Sequence, residues 1–414
     1  MTSTGRGDAN VIVGAGQAGA HAAIAMRRAG FEGRITLLGD EGEAPYDRTP
    51  LSKAFLTGAD DTRLTRFFDA VTYEQERIEV RLATVVEAIE PASGRIRIAG
   101  GDPLPYDRLI LATGSRPRTL AVPGAEHVVT LRTGEDARRL RQRLRSSRRV
   151  VCIGAGVIGL EIASAARASG CQVTVVEVGE AVMSRSLAPQ LGEHVAALHV
   201  QAGVELMFDS DVVAIEPGHV TLRNGLQIAA DTVVAGVGVQ RNTALAAAAG
   251  IEVARGILTD AGGSTNLAQI FGAGEVAEYF SARTGTHIAL ESWRHAQDHG
   301  GFVGRVAAGA DETYDEVPWF WSDQHGSNIQ VAGDGRSARR TLFRGDPSGR
   351  TFSAFLLDDA SRLTGAFGLN AGRDISAALR MMRRGGRVDP DVLTDASVTP
   401  QRLLATALLP ESAG

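Results

Sequence analysis

Lysine is almost absent from this 414-residue chain. Of its 43 basic side chains one is a lysine, Lys53, and all others are arginine. A genome-wide preference for arginine codons accounts for the excess. Against that background, a position that keeps a compact ammonium stands out as a candidate for chemistry that a planar guanidinium serves poorly. Cysteine is nearly as scarce: Cys152 and Cys171 are the only two. They form no CxxC pair, which excludes a redox disulfide encoded by local spacing, and two thiols fall short of the four that hold an iron–sulfur cluster. Cys152 lies in an apolar strand pattern and reads as core. No metal site is expected. No apolar run reaches the roughly 18 residues of a membrane span. Residues 1–10 are polar and lack the hydrophobic stretch of a signal peptide, so a cytoplasmic location is expected. A net charge of −5 disfavours a general nucleic-acid binder. Hydrophobic content of 44% and charged content of 22% are ordinary for a globular chain, and the length predicts two or three domains.

Glycine, by contrast, is abundant and organised. Val11-Ile12-Val13-Gly14-Ala15-Gly16-Gln17-Ala18-Gly19 reads as buried strand, glycine turn and helix start. In such a unit Gly14 allows the turn, Gly16 lets backbone approach a pyrophosphate, and Gly19 lets helix pack on strand. The first helical turn, Ala18 included, offers N–H groups to phosphate. Asp40 and Glu41 follow the next strand, where an acid is expected to bind ribose. The same grammar returns at Val150 to Gly159, with Gly154, Gly156 and Gly159 in the three roles and Ile158 inside the turn. Its acid is Glu177, after the strand Val173–Val176. A carboxylate there suits a ribose 2′-hydroxyl and repels a 2′-phosphate, which favours NADH; Arg185 is placed to touch adenosine or a phosphate. Two such units predict two bound dinucleotides and an α/β fold.

The segment Pro45-Tyr46-Asp47-Arg48-Thr49-Pro50-Leu51-Ser52-Lys53 resembles the P-Y-x-R-P-P-L-S-K signature of the FAD-dependent ferredoxin reductases that serve oxygenases and cytochromes P450 (putidaredoxin reductase-like and rubredoxin reductase-like proteins), with Thr49 in place of a proline. The likeness extends from Val11 to about Leu393. Leu111-Ala112-Thr113-Gly114-Ser115-Arg116-Pro117-Arg118 matches the family's ATG-x-x-PR segment, and Pro318-Trp319-Phe320-Trp321-Ser322-Asp323-Gln324 matches its P-W-F-W-S-D-Q. The resemblance implies that Lys53 lies beside the flavin, Arg48 near its phosphates or adenosine, and Arg132 near FAD. It implies that Val85-Val86 lies by the adenine, and that Ala112, Thr113, Gly114, Gly274, Trp293 and Trp321 contact FAD. Glu161 would reach the nicotinamide and pair with Lys53, and Gly238 would approach NAD. Three further positions depart from the family: Arg241 for proline, Glu275 for the aspartate that binds the ribityl or pyrophosphate region, and His295 for asparagine, which reads as a packing substitute.

The architecture so implied has two Rossmann-like, glutathione-reductase-like domains plus a C-terminal α+β domain. An FAD domain would span 1–116 and 244–316, an NAD domain 117–243, and an interface domain 317–414. Alternating patterns at 329–331, 340–342 and 352–356 predict antiparallel strands in the last of these. Residues 136–149 hold seven arginines and read as a solvated helix. Asp374 to Arg384 is predicted helical, and Arg380, Arg383, Arg384 and Arg387 suit a rim that steers an acidic partner. The implied activity is electron transfer from NADH through FAD, one electron at a time, to an acidic [2Fe-2S] ferredoxin or a rubredoxin. The reductase would be a monomer or homodimer. An NADH oxidase shares both dinucleotide folds but needs a catalytic cysteine early in the chain, and none precedes Cys152. A non-catalytic flavoprotein related to apoptosis-inducing factor stays open, given Glu275 and His295.

Overall fold

A computed structural model describes residues 8–58, 63–335 and 338–409. The chain divides into two compact units, one of residues 1–47, 63–116 and 239–315, the other of 48–62, 117–238 and 316–414.

The first unit is built on a five-stranded parallel sheet in the order Ile270–Gly272, Arg108–Leu111, Ala9–Val13, Arg34–Leu38, Ile78–Arg81. The central strand, Ala9–Val13, is buried along its whole length, as a parallel strand covered on both faces must be. Strand alternation sorts its neighbours. Ile12, Ile35 and Ile110 pack with helices Gln17–Arg28 and Trp293–Ala307, while Val11, Val13, Leu109 and Leu111 pack with Ile89 and Ile96. The two helices approach closely because their facing residues are small. A Cβ on Gly300 or Gly304 would lie 2.3 or 2.2 Å from the carbonyl oxygen of Ala18 or Ala22. A short helix, Ala70–Gln75, precedes the strand Ile78–Arg81 in sequence and is capped where Asp69 accepts from the Thr72 N–H.

In the second unit a four-stranded parallel sheet runs Val204–Met207, Gln172–Val176, Arg149–Ile153, Thr232–Ala235, with helix Val157–Ala168 following the glycine turn. The C-terminal part is a five-stranded antiparallel sheet, Trp319–Gln324, Ser327–Gly333, Leu363–Leu369, Phe352–Leu357, Arg340–Gly345. Helix Gly372–Arg384 packs through Ile375, Ala378 and Met381 into its core. These are the alternating strands and the helix that the sequence predicts. The expected second and third domains form one unit because their cores are continuous. Val150, Cys152 and Leu160 belong to the same buried cluster as Ile329, Phe352 and Phe367.

The arginine-rich segment is the helix Gly134–Ser146, opened by a reciprocal capping box between Thr133 and Asp136. Arg141 is not solvated as expected: it is buried, and its Nη2 donates to the Gly58 carbonyl at 2.8 Å. Cys152 and Cys171 are both buried and unbridged, and burial pushes the Cys152 thiol up to about 12. Among the described residues, no helix is long and apolar enough to cross a membrane, and no cluster of His, Cys, Asp and Glu forms a metal site.

Candidate functional site

In both glycine turns the three glycines stand in different surroundings. Gly14 has φ +111, and a Cβ there would lie 2.2 Å from the Ala112 carbonyl oxygen. A Cβ on Gly19 would lie 1.9 Å from the Gly14 oxygen, so helix and turn touch directly. Around Gly16 a Cβ would meet nothing within 4 Å. That glycine is therefore not demanded by packing; it leaves a cradle open at the start of a helix that no side chain caps and no acid occupies. The second turn repeats this. Gly154 has φ +99, a Cβ on Gly159 would lie 2.0 Å from the Gly154 oxygen, and Gly156 stands open, with its nearest neighbour at 3.8 Å. Both cradles fit a dinucleotide pyrophosphate.

Around the first turn, Asp40 is exposed, and Glu41 accepts from the Tyr46 hydroxyl at 2.6 Å. Val86, expected beside the adenine, packs against the core, whereas Val85 is half-exposed. Ala18 buries its methyl against Gly274, with its backbone against Gly300, so what it can offer a phosphate is its backbone N–H. The Ala112-Thr113-Gly114 segment is locked by Asn242. Thr113 Oγ1 donates to the Asn242 carbonyl at 2.9 Å, Asn242 Nδ2 donates to the Thr113 carbonyl at 2.8 Å, and the Asn242 N–H donates to the Gly114 carbonyl at 2.9 Å.

The departures Arg241 and Glu275 meet each other. Arg241 Nε donates to the Glu275 carbonyl at 2.7 Å, and its guanidinium pairs with Glu291 at 3.2 Å. A charged clamp thus stands where a proline would stiffen the turn. Gly274, at φ +72, donates its N–H to His299 Nδ1 at 3.0 Å. His295 is buried, stacked on His299 with ring centroids 4.9 Å apart, and bonded through Nδ1 to the Tyr314 hydroxyl at 3.2 Å. Burial lowers its pKa to about 4, so it is a neutral packing residue near neutral pH. Trp293 donates its indole N–H to Asp47 Oδ1 at 3.0 Å.

Around the second turn, Glu177 closes the strand Gln172–Val176 and accepts from the N–H groups of Ala155 at 2.6 Å and Gly179 at 2.9 Å. The carboxylate is held beside the turn by backbone. Ile158 and Val178 are large apolar side chains left 43% and 69% exposed. Arg185 is exposed and reaches Gly238, whose φ is +98.

The structure brings Lys53 and Glu161 together. Lys53 ends a short 3-10 turn, Thr49–Ser52, with Pro50 in its first positions. Glu161 lies on the helix Val157–Ala168. Lys53 Nζ is 2.8 Å from Glu161 Oε1, with side chains 20% and 2% exposed, and it also donates to the Thr49 carbonyl at 3.4 Å. A buried carboxylate needs more than one cation to replace its water. The remaining donors are two hydroxyls: Ser322 donates to Oε1 at 2.6 Å, and Ser52 donates to Oε2. Neither serine stands out in the sequence, although Ser52 is adjacent to Lys53 and Ser322 alternates with Trp321 in the tryptophan motif. Trp321 itself stacks on Trp319, centroids 5.4 Å apart at 25°. Arg48 Nη1 donates to the Arg132 carbonyl at 2.7 Å, which joins two residues both expected near FAD.

A family model for pyridine nucleotide-disulphide oxidoreductases matches residues 9–300, and one for a reductase C-terminal domain matches 319–404. The anthranilate 1,2-dioxygenase system ferredoxin–NAD(+) reductase component of Burkholderia cepacia is 41% identical, covering 94% of this chain and 98% of the relative. Among solved structures, the ferredoxin reductase for the CYP199A2 system from Rhodopseudomonas palustris matches with a TM-score of 0.91 at 35% identity, over 95% of this chain and 99% of that one. A chain of the covalent putidaredoxin reductase–putidaredoxin complex matches with a TM-score of 0.92 at 32% identity, over 97% of this chain and 99% of that one.

Proposed function

Because the chain belongs to the pyridine nucleotide-disulphide oxidoreductase family, we propose that it is the NADH-dependent ferredoxin reductase of an oxygenase or cytochrome P450 system. It passes electrons from NADH through FAD, singly, to a small iron–sulfur protein. The observation that carries this reading is the pair of open glycine cradles combined with two buried, unreactive cysteines. Two dinucleotides have sites, and a dithiol route does not.

FAD, when bound, accepts a hydride from NADH and yields its two electrons one at a time. The chain's own residues bind and align. Residues 1–116 and 244–316 hold FAD through Gly14, Gly16, Gly19, Val85, Thr113 and Gly114, with Glu275 and Trp293 beside it. Residues 117–243 hold NADH through Gly154, Gly156, Ile158 and Gly159, with Glu177 on the ribose. Residues 317–414 form the interface domain that carries Trp321. Lys53 supplies a positive charge that stabilises the negative charge delivered with the hydride, and Glu161 orients Lys53 and the nicotinamide. Arg380, Arg384 and Arg387 offer positive charge to an acidic ferredoxin. The enzyme works in the cytoplasm.

An anaerobic titration of the FAD-loaded protein with NADH, followed by visible absorbance, tests the reading. Bleaching of the flavin at one NADH per site is expected, with NADPH much less effective. A yellow protein that NADH leaves oxidised would point instead to the non-catalytic flavoproteins.

A further inference from the structure

Glu161 is the end of a longer chain of buried polar groups, all within the second compact unit. Ser322 Oγ donates to Glu161 Oε1 at 2.6 Å, and Ser322 in turn accepts from Gln324 Nε2 at 2.8 Å. Gln324 Oε1 lies 2.8 Å from His199 Nε2, and His199 Nδ1 lies 3.1 Å from His325 Nε2. Ser322, Gln324 and His199 are at most 1% exposed. Three distant segments therefore supply one line: helix Val157–Ala168, helix Pro189–Gln201, and strand Trp319–Gln324 with the turn at His325 that follows it, where φ is +49. The turn is itself tied down. The His325 N–H donates to Ser164 Oγ at 2.8 Å, one helical turn beyond Glu161, and Arg350 donates to the His325 carbonyl at 3.2 Å.

The polarity of this line follows from the donor and acceptor inventory of its members. A carboxylate only accepts, so the Ser322 hydroxyl must donate to Glu161. Ser322 can then only accept from its other neighbour, which presents the amide nitrogen of Gln324. The amide oxygen consequently faces His199, whose Nε2 must carry a proton. Neutral His199 then has Nδ1 as an acceptor, and His325 must donate to it from Nε2. Each hydrogen points towards Glu161. Burial keeps His199 neutral, with its pKa lowered to about 4, and lowers that of His325. A carboxamide in mid-line does not pass protons, so the line serves for orientation.

We propose that His199 is a positioning residue for the Lys53–Glu161 pair, acting through Gln324 and Ser322 to fix how the Glu161 carboxylate is presented to Lys53. The role rests on the hydride-transfer reading given above, but its test need not. Lys53 is the single lysine of the chain, so lysine labelled with 15N at Nζ gives one signal from the FAD-loaded protein, free of overlap.

In His199→Leu the amide of Gln324 loses the donor that orients it, and the Lys53 signal is expected to shift or broaden. In His199→Gln, which keeps an N–H donor, the signal is expected to return towards its original position. In parallel, flavin bleaching at saturating NADH should slow about fivefold in His199→Leu, the scale of one hydrogen bond between neutral groups, with NADH affinity held within about twofold. Ser322→Ala, a smaller change, should produce the same pattern if His199→Leu does not fold. In the unmodified protein, imidazole 15N spectra should show His199 and His325 as Nε2–H tautomers. An unmoved Lys53 signal in folded His199→Leu, or an Nδ1–H tautomer at His199, overturns the inference. If Lys53→Gln leaves hydride transfer unchanged while the Lys53 signal still answers to His199, the positioning stands and the catalytic assignment of Lys53 falls.

Discussion

At the residue scale, Glu161 and Lys53 illustrate why a buried ion pair is kept where an apolar pair would fold as well. Burial of the carboxylate is offset by three donors, and removing one partner leaves the other stranded. Glu161→Gln keeps the shape but withdraws the counter-charge of Lys53. It should cost about 3 kcal/mol in urea unfolding, the lower end for a broken buried pair because Lys53 retains some exposure. The double variant Lys53→Met/Glu161→Leu should recover most of that stability while hydride transfer stays slow. A double variant with normal flavin bleaching would show that the charges serve folding alone. Composition is enough to mark Lys53, since it is the one lysine among 43 basic residues. Its neighbours Ser52 and Ser322 are not legible in the same way, because a serine announces nothing until something buried stands opposite it.

At the element scale, the glycine turns yield a prediction that separates fold from function. Within Gly154-Ala155-Gly156-Val157-Ile158-Gly159, only Gly156 has room for a methyl group. Gly156→Ala should fold normally, with a melting temperature within about 2 °C of the parent on the usual scale of surface changes, yet raise the KM for NADH about tenfold by obstructing the pyrophosphate. Gly159→Ala should fail differently. Its Cβ falls 2.0 Å from the Gly154 oxygen, and the strain should lower stability by about 1–3 kcal/mol or more, as read by thermal unfolding. Equal effects of both substitutions on folding would contradict the division of roles. That division is readable from the motif because the strand–turn–helix unit is local and its spacing dictates its geometry. The clamp of Arg241 on the Glu275 carbonyl is not readable, since it joins residues 34 positions apart.

At the scale of the whole molecule, three buried histidines set the acid side of stability. Burial lowers the pKa of His199 and His295 to about 4 and that of His299 well below its ordinary value. In the unfolded chain each titrates near 6.5. The unfolded state therefore takes up protons that the native state refuses, and stability must fall as pH drops from about 6.5 towards 4. At about 1.4 kcal/mol per pH unit, a histidine held at about 4 contributes on the order of 3 kcal/mol, fully present above pH 6.5. Melting temperature should decline across this window. His295→Asn, which restores the residue of the family pattern, should flatten the decline; an unchanged slope would mean His295 is protonated in the native protein. Nine histidines in a sequence do not foretell this, because a pKa depends on what surrounds the ring.

Neighbouring residues alone specify the two strand–glycine–helix units, the acid Glu177 after the second, the alternating strands of the last hundred residues and the lone lysine as a candidate. In each case short spacing dictates local geometry. Tertiary contact is needed to establish that the second and third sequence blocks share one core, that Arg141 is buried on a carbonyl instead of solvated, and that Glu161 is held by Ser52, Ser322 and, through Gln324, by His199. Those depend on segments 83 to 161 residues apart meeting inside the protein. There, exclusion of water turns an ordinary serine, glutamine or histidine into an obligatory donor.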